Sequence, residues 1–155
     1  QMYLGFYRSN FTIKNQLTFP NKFKKITGQK LLLAKWFERS VIVLPYETGE
    51  EIITKILKDN SSLLPEVRDL ERFFYGSAVT VTLDAKNRFV LPVALAEYAQ
   101  VKSKVVFVGV GTRIELWDEE IYQNYGKIRE MQIRETAVRH YNRLTQRGET
   151  QDETI

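Results

Sequence analysis

Hydrophobic and polar positions divide the chain into four blocks. Short β-branched and aromatic runs separated by turn residues occupy positions 5–44, which is the pattern of β-strands. Positions 47–75 instead carry apolar residues at helical spacing. Strand-type runs return over 76–117, and a long helical pattern follows over 118–147. The alternation predicts an α+β protein in which each strand-rich block is followed by helices.

Individual elements can be placed inside these blocks. In the first block the strand-type runs are Tyr7–Ile13, Leu17–Phe19, Leu31–Trp36 and Val41–Leu44. In the second block, Asp59–Ser62 interrupts the helical spacing as a turn or cap. Pro65 then opens a further helix, because proline is well tolerated at a first helical position.

The two strand-rich blocks resemble each other. When Pro20 is placed on Pro92, the segment FTIKNQLTFP lies on LDAKNRFVLP, and a Lys-Asn pair occupies the same positions in both. Downstream, Lys30–Leu33 matches Lys104–Phe107 and Val41–Leu44 matches Ile114–Trp117. We infer a tandem duplication. The predicted units are a first repeat over 5–48, a helical connector over 49–75, a second repeat over 76–120, a C-terminal helix over 121–147 and a flexible tail over 148–155.

The turn inside the second repeat carries the most informative polar residues. A strand ends at Asp84, and Asn87 suits the left-handed conformation of a tight turn, as Asn15 does in the first repeat. Asp84 can accept backbone hydrogen bonds within the turn and can pair with the guanidinium of Arg88. A short helix, Val93–Tyr98, is predicted to follow the turn.

Two interpretations of this turn stay open. In one, Asp84 and Arg88 form a salt bridge that only stabilises a hairpin. In the other, Lys86 and Arg88 present cations at a sheet edge, where arginine suits bidentate contacts to phosphate or guanine.

Charge is unevenly distributed along the chain. The net charge is +4. Residues 1–39 carry eight Lys/Arg and one acid, a net +7, and residues 76–117 carry five Lys/Arg and three acids, a net +2. Residues 40–75 and 118–155 are net −3 and −2. Basic strand-rich blocks favour a polyanionic partner such as nucleic acid, although solvated lysines without a partner give the same pattern.

Residues suited to catalysis or metal binding are sparse. The chain has no cysteine and one histidine, His140, so the usual zinc sets and nucleophilic triads cannot be assembled from one chain. The segment 109–111, Gly-Val-Gly, lacks the third glycine of a dinucleotide fingerprint and instead indicates a tight hairpin between Phe107 and Ile114. We therefore expect a binding module that is not an enzyme and uses no cofactor and no metal.

Aromatic residues next to basic ones, such as Phe23 and Phe89, have two interpretations. They could stack on bases, as in proteins that bind single strands. Packing in a small barrel core is favoured, because aromatic side chains bury the largest apolar areas.

Membrane insertion is not expected. No apolar run reaches the roughly 20 residues that a spanning helix needs. The first residues lack a charged region followed by a long apolar one, so no secretory signal is expected. The lack of cysteine favours a reducing, cytoplasmic location.

The segment LDAKNRFVLP resembles the second signature of the MraZ family, whose members carry two D-x-x-x-R motifs, one per repeat. Phe73–Gly76 is similar to the phenylalanine pair and glycine that precede the second repeat in that family. The stretch VVFVGVGTRIELWDEE resembles the family's V-G-V-G-x-R-I-E-I-W segment. The resemblance covers residues 2–145.

The resemblance implies both a fold and a function. The fold would be similar to the AbrB transition-state regulators of the SpoVT-AbrB superfamily: a double-split β-barrel of swapped hairpins, built from two internal repeats with flanking helices. The function would be that of a sequence-specific, DNA-binding transcriptional regulator of a division and cell-wall gene cluster, associated with the nucleoid. Family members form ring-shaped homo-oligomers, here expected to be octamer-like, that bind direct repeats in the promoter of double-stranded DNA upstream of their own operon.

The residues implicated in DNA contact carry over unequally. The positions that the resemblance implies are those of the two turns: Thr12, Lys14, Asn15, Gln16, Asp84, Lys86, Asn87 and Arg88. The second motif is intact as Asp84 and Arg88, whereas Thr12 and Gln16 replace the aspartate and arginine of the first. Glutamine can still hydrogen-bond to a base edge or a phosphate, but it brings no charge. Nearby lysines could supply the missing cations: Lys14, Lys22, Lys24 and Lys25.

The altered first motif leaves an alternative function open. The chain could be an oligomeric assembly or adaptor protein in which DNA binding has weakened or been lost. Binding to DNA at several salt concentrations distinguishes this alternative from a regulator.

Overall fold

The computed structural model describes the backbone of residues 1–57 and 62–153, and side chains as far as residue 147. The chain forms two compact units, one from Gln1 to Glu119 and one from Glu120 onwards. Both predicted strand-rich blocks lie in the first unit.

The first repeat alternates strands and helices in a fixed order. Its elements are β1 (Tyr3–Asn10), β2 (Gln16–Thr18), α1 (Asn21–Thr27), β3 (Lys30–Lys35), β4 (Val41–Pro45) and α2 (Tyr46–Leu57). A single 3-10 turn, Phe37–Arg39, joins β3 to β4. The predicted break at Asp59–Ser62 falls, apart from Ser62, outside the described residues.

The second repeat follows the connector helix α3 (Pro65–Phe74) and has the same order of elements. Its elements are β5 (Val79–Thr82), β6 (Arg88–Val90), α4 (Val93–Tyr98), β7 (Lys104–Gly111), β8 (Ile114–Asp118) and α5 (Glu119–Glu130). The repeated order of elements that the sequence predicts is therefore confirmed. The short helix after the second turn also has the predicted bounds.

Strand pairing interleaves the two repeats. The larger sheet has the order β1-β7-β8-β4-β3-β5, the smaller sheet consists of β2 and β6, and every pair is antiparallel. Only β3–β4 and β7–β8 join strands of one repeat, while β1–β7, β2–β6, β3–β5 and β4–β8 join strands of different repeats. Exchanging the repeats reproduces the same set of pairs, so the unit has an internal pseudo-two-fold arrangement.

The hydrogen-bonded ladders of the described residues do not close into a barrel. The larger sheet ends at β1 on one side and at β5 on the other, and the β2–β6 ribbon is a separate sheet. The fold is therefore α+β with antiparallel sheets.

The main core is a cluster of aromatic and aliphatic side chains from both repeats. Phe19, Phe23 and Phe107 are almost completely buried. Phe19 meets Phe107 edge to face with their ring centroids 5.4 Å apart, which joins the two repeats through one contact. Phe89 is buried in the same cluster. Stacking of Phe23 or Phe89 on bases is thereby ruled out in favour of core packing.

Strand β4 explains why the run Val41–Leu44 is continuously apolar. Successive side chains of a strand point to opposite faces. Val41 and Val43 belong to the main core, while Ile42 and Leu44 belong to a second cluster with residues of α2 and α3. Both faces of this strand are buried, so no polar alternation appears in its sequence.

The second cluster gives a physical role to the Phe-Phe-Tyr-Gly segment. Phe74 at the end of α3 is buried, and its ring centroid lies 5.4 Å from that of Trp36. The amide of Gly76 donates to the carbonyl oxygen of Arg72. A Cβ on Gly76 would collide with that oxygen. The glycine is needed because the chain turns back onto its own helix.

Glu115 organises the stretch that resembles V-G-V-G-x-R-I-E-I-W. One carboxylate oxygen accepts the indole N–H of Trp36 at 2.9 Å and the Nε–H of Arg113 at 3.0 Å. The other accepts the indole N–H of Trp117 at 3.0 Å. Both buried indole donors are thus satisfied by one side chain, which a buried tryptophan requires.

The second unit is helical where it is described. Residues 121–147, predicted as one helix, contain most of α5 and the first part of α6 (Ile133–Glu153). The predicted tail over 148–155 falls on residues whose side chains, and from 154 onwards backbone, lie outside the described part. Among the described residues, no helix combines the length and the apolar character needed to cross a membrane.

Gly109 lies in β7 where the backbone of β1 comes close to it. A Cβ at this position would lie 2.5 Å from the amide nitrogen of Leu4 and 2.5 Å from the carbonyl carbon of Tyr3. Both are backbone atoms, so the clash cannot be relieved by a side-chain rotation. The glycine therefore fixes the distance between two strands that come from different repeats.

We predict that Gly109→Ala lowers the free energy of unfolding by about 1–3 kcal/mol, the usual cost of forcing an extra carbon into a packed site. Gly126→Ala is the matched control, because Gly126 lies in α5 with open space around its Cβ position. Alanine there should stabilise the helix by about 0.5–1 kcal/mol. Urea denaturation followed by circular dichroism measures both. Equal midpoints for the two variants would contradict the close approach at Gly109.

Candidate nucleic-acid interface

The two predicted turns have the same backbone geometry. In the first, the amide of Thr12 donates to the carbonyl of Gln16 at 3.1 Å, and Asn15 donates back to Thr12 at 2.9 Å. In the second, the corresponding bonds from Asp84 to Arg88 and from Asn87 to Asp84 are both 3.0 Å. The sequence prediction of left-handed asparagines is confirmed, since φ is +58° at Asn15 and +61° at Asn87.

Each turn is also bonded to the other repeat. The carbonyl of Asn87 accepts the amide of Phe19 at 2.7 Å, and the carbonyl of Asn15 accepts the amide of Leu91 at 2.8 Å. These bonds are equivalent under the exchange of repeats. Together with the β2–β6 pairing they tie both turns to one two-stranded ribbon.

The ribbon has one buried face and one face towards solvent. Leu17 and Phe89 are paired and buried, at 1% and 3% exposure. The alternate positions pair Gln16 with Val90 and Thr18 with Arg88. Because side chains alternate along a strand, these four share the outer face. Gln16 and Arg88 lie diagonally across it, roughly 7–8 Å apart at their Cα atoms by standard sheet geometry.

Asp84 holds Arg88 in place through its whole carboxylate. Oδ1 accepts the backbone amides of Lys86 and Arg88, each at 2.8 Å. Oδ2 accepts the Nε–H of the Arg88 guanidinium at 2.9 Å. The predicted turn bonds and the predicted ion pair are both confirmed. Asp84 accepts only the Nε–H of the guanidinium. The Nη–H groups therefore remain available as hydrogen-bond donors to a partner, on a side chain that is 40% exposed.

The hydrogen bonds to Asp84 lower its pKa below the ordinary value of an aspartate. The largest cause is the backbone amide of Arg88, and burial of the carboxylate opposes it. The Arg88 side chain and the amide of Lys86 lower the pKa further. Because the pKa is lowered in the folded state, ionised Asp84 contributes to the free energy of unfolding at pH values above the unfolded-state pKa of aspartate. This stabilising contribution is lost as the pH falls through the folded-state pKa.

The first turn keeps the geometry without the charges. The hydroxyl oxygen of Thr12 accepts the amide of Gln16 at 3.0 Å, which is the bond that Asp84 makes to the Arg88 amide. Among the described residues, the Gln16 amide group makes no side-chain hydrogen bond. Gln16 therefore occupies the position in the first repeat that Arg88 occupies in the second. It carries no charge, and no side chain of the described residues holds it in place.

Helix α1 begins beside the second turn. The amide nitrogen of the Asn87 side chain lies 3.4 Å from the side-chain oxygen of Asn21, the first residue of α1. By the equivalent backbone bond, the chain entering α4 lies beside Asn15. The sequence-based expectation that Lys22, Lys24 and Lys25 replace the missing cations of the first motif stays a prediction, although the helix that carries them begins beside the second turn. Strand interleaving thus brings the start of α1 to the second turn, while Lys14 lies in the first turn itself.

Two outward residues of the ribbon were not among the predicted site positions. Thr18 is exposed, and its amide donates to the hydroxyl of Ser9 at 3.0 Å. Val90 is 55% exposed. Period-two alternation from Gln16 and Arg88 is the signal that would have found both.

Other candidate chemistry is not assembled in the described residues. No group of three or more His, Asp or Glu side chains there could hold a metal ion. His140 is exposed on α6. The predicted hairpin between Phe107 and Ile114 is confirmed: β7 ends at Gly111, which takes a positive φ of +75°, and the amide of Val110 donates to the carbonyl of Arg113.

Comparison with known proteins identifies the family. A family model described as "MraZ protein, putative antitoxin-like" matches residues 74–144, which include the intact second turn. A protein named transcriptional regulator MraZ from Syntrophomonas wolfei is 32% identical over 136 residues, covering 88% of this chain and 94% of that protein. The chain belongs to the MraZ family. The predicted resemblance is thereby confirmed.

Further MraZ relatives show similar agreement. A transcriptional regulator MraZ from Thermoanaerobacter sp. strain X514 is 30% identical over 136 residues, covering 88% of this chain and 94% of that protein. One from Clostridium acetobutylicum is 32% identical over 130 residues, covering 81% and 88%. The similarity thus extends over both repeats, while the match to the MraZ family model itself begins at α3.

We predict that Arg88→Ala raises the pKa of Asp84 but leaves it below the ordinary aspartate value. The substitution removes the guanidinium, whereas the largest cause of the shift, the backbone amide at position 88, remains. An NMR titration of the Asp84 carboxyl carbon measures both proteins. A return to the ordinary value would mean that the side chain, and not the turn backbone, holds the carboxylate.

Proposed function

We propose that this chain is a sequence-specific, DNA-binding transcriptional regulator. The observation that carries the proposal is Arg88, which is fixed by Asp84 on the outer face of an exposed ribbon. The relatives described above are named transcriptional regulators, which supports the same function. No catalytic or cofactor chemistry is proposed.

The shape of the site supports binding in the major groove of DNA. The major groove admits a two-stranded β-ribbon, and β2 with β6 is such a ribbon. Arg88 would donate its free Nη–H groups to guanine O6 and N7 or to a phosphate. Lys14 and Lys86 are exposed on the turns at the two ends of the ribbon, where they would contact the phosphates that flank the groove. We therefore propose all eight turn residues as the DNA-contacting set.

We further propose that the interleaved sheets are an AbrB-like double-split β-barrel. The support is the exchange of partners: the outer strand of each repeat, β1 or β5, and both ribbon strands pair with the other repeat. In this interpretation one chain supplies the two halves that two AbrB chains would supply.

Oligomerisation would give the binding strength that one ribbon lacks. We propose a ring-shaped, octamer-like homo-oligomer that presents one ribbon per subunit to direct repeats in a promoter of a division and cell-wall gene cluster. Such an arrangement raises avidity through effective concentration. Exposed apolar side chains on α5 and α6 support a helical contact between subunits: Ile128, Val138, Tyr141 and Leu144 are each more than half exposed. A regulator of this kind acts at the nucleoid in the cytoplasm.

We predict that Arg88→Ala weakens binding to the DNA upstream of the gene at least about tenfold, since one specific arginine contact is worth roughly 1–3 kcal/mol per subunit. Fluorescence anisotropy at several salt concentrations measures the affinity, and light scattering checks that the oligomer is unchanged. Arg72→Ala is the control, because Arg72 is 70% exposed on α3 and its recorded ion pair is to Asp69 on the same helix.

Two outcomes would count against the proposal. Equal losses in the two variants would show that Arg88 acts only through net charge. A wild-type protein that forms the oligomer but binds no DNA even at low salt would instead favour the alternative, an assembly or adaptor protein with decayed DNA binding.

A further inference from the structure

The two ends of the ribbon differ in charge far more than the two motifs alone indicate. We define the Arg88 half as the turn 84–88 with α1, which begins beside it, and the Gln16 half as the turn 12–16 with α4. The Arg88 half contains five basic residues and one acid, a net +4. The Gln16 half contains Lys14 and Glu97, a net charge of zero. Interleaving thus sets the start of the lysine-bearing helix of the first repeat beside the turn that already carries Arg88.

The backbone geometry, in contrast, is the same in the two halves. Both turns have the same two internal hydrogen bonds, a left-handed asparagine and the same bond to the opposite repeat. Gln16 and Arg88 also occupy equivalent positions in the ribbon register. A difference in what the halves bind must therefore come from their side chains.

The side chains suit different partners. Arg88 has donors only and carries a charge, which matches phosphate oxygens and the paired acceptors of guanine. Gln16 has a carbonyl acceptor and an amide donor, which match the N6 donor and N7 acceptor of adenine. A neutral amide gains little from a phosphate compared with a guanidinium, so its contribution is to base recognition.

We propose that the chain recognises a DNA site without two-fold symmetry, in which Gln16 selects an adenine and the Arg88 half supplies the ionic contacts. This inference rests on the proposed DNA-binding function. It makes Gln16 a specificity-determining residue, although it lacks the arginine of the family motif. It also gives each subunit a fixed direction on the duplex, because reversing the protein would set the cationic half on the adenine and the neutral half on the phosphates that the lysines contact.

The test is selection from duplexes with a randomised central segment, followed by affinity measurements on duplexes that carry one selected site. Wild type should select a sequence that is not its own inverted complement, with one adenine position. Gln16→Ala should lose the preference at that position by roughly tenfold, the lower part of the range for a bidentate contact, and should leave the dependence of affinity on salt unchanged. Arg88→Gln should flatten the slope of log affinity against log salt by about 1.

The double variant Thr12→Asp with Gln16→Arg restores a paired charge in the first turn. It should replace the preference for adenine by a preference for guanine at the same position of the site. Arg72→Gln, which removes an exposed charge from α3, is the control and should leave both the selected sequence and the base preference unchanged. Circular dichroism establishes that each variant is folded.

The outcomes separate the two proposals. If wild type binds no duplex at any salt concentration, the proposed function fails and this inference fails with it. If wild type binds but selects a two-fold symmetric site, or if Gln16→Ala keeps the adenine preference, only the asymmetric recognition is overturned.

Discussion

Hydrogen bonding between the repeats is the constraint on which the rest of the structure depends. Neither repeat forms a sheet in which all of its strands are paired, because β1, β2 and their counterparts find partners only in the other repeat. The amides of Phe19 and Leu91 add reciprocal bonds to the opposite turns. Core packing follows from the same pairing, since the Phe19–Phe107 contact also joins the repeats. The duplication is thus one folding unit and not two similar domains.

Local features could be predicted from the sequence because they have local causes. The left-handed asparagines, the Asp84 hydrogen bonds and the bounds of α4 all follow from residues within a few positions of each other. The matching of the two blocks also gave the order of elements. The residues of the second turn alone left two interpretations open, a stabilising salt bridge or a binding site. The resemblance to the MraZ family favoured the binding site.

The arrangement of partners could not be predicted from the residues in the same way. A strand pattern shows that a segment is extended and which face is apolar, but it does not identify the neighbouring strand. The placement of α1 illustrates this: the helix follows the first turn in sequence, but its first residue, Asn21, lies beside the second turn in space. The outward positions of Thr18 and Val90 likewise depend on the register of a ribbon whose strands are far apart in sequence.

During biosynthesis, β1 can pair with β7 only after β7 has been translated. Tyr3–Asn10 leaves the ribosome early, but its partner Lys104–Gly111 follows about a hundred residues later, which takes on the order of 5–20 seconds at typical translation rates. During that interval the first strand has no partner, and it carries the apolar side chains of Leu4 and Phe6, which stay half exposed even in the finished structure. The nascent chain is consequently most vulnerable to aggregation, and most dependent on chaperones, before its second half has been synthesised.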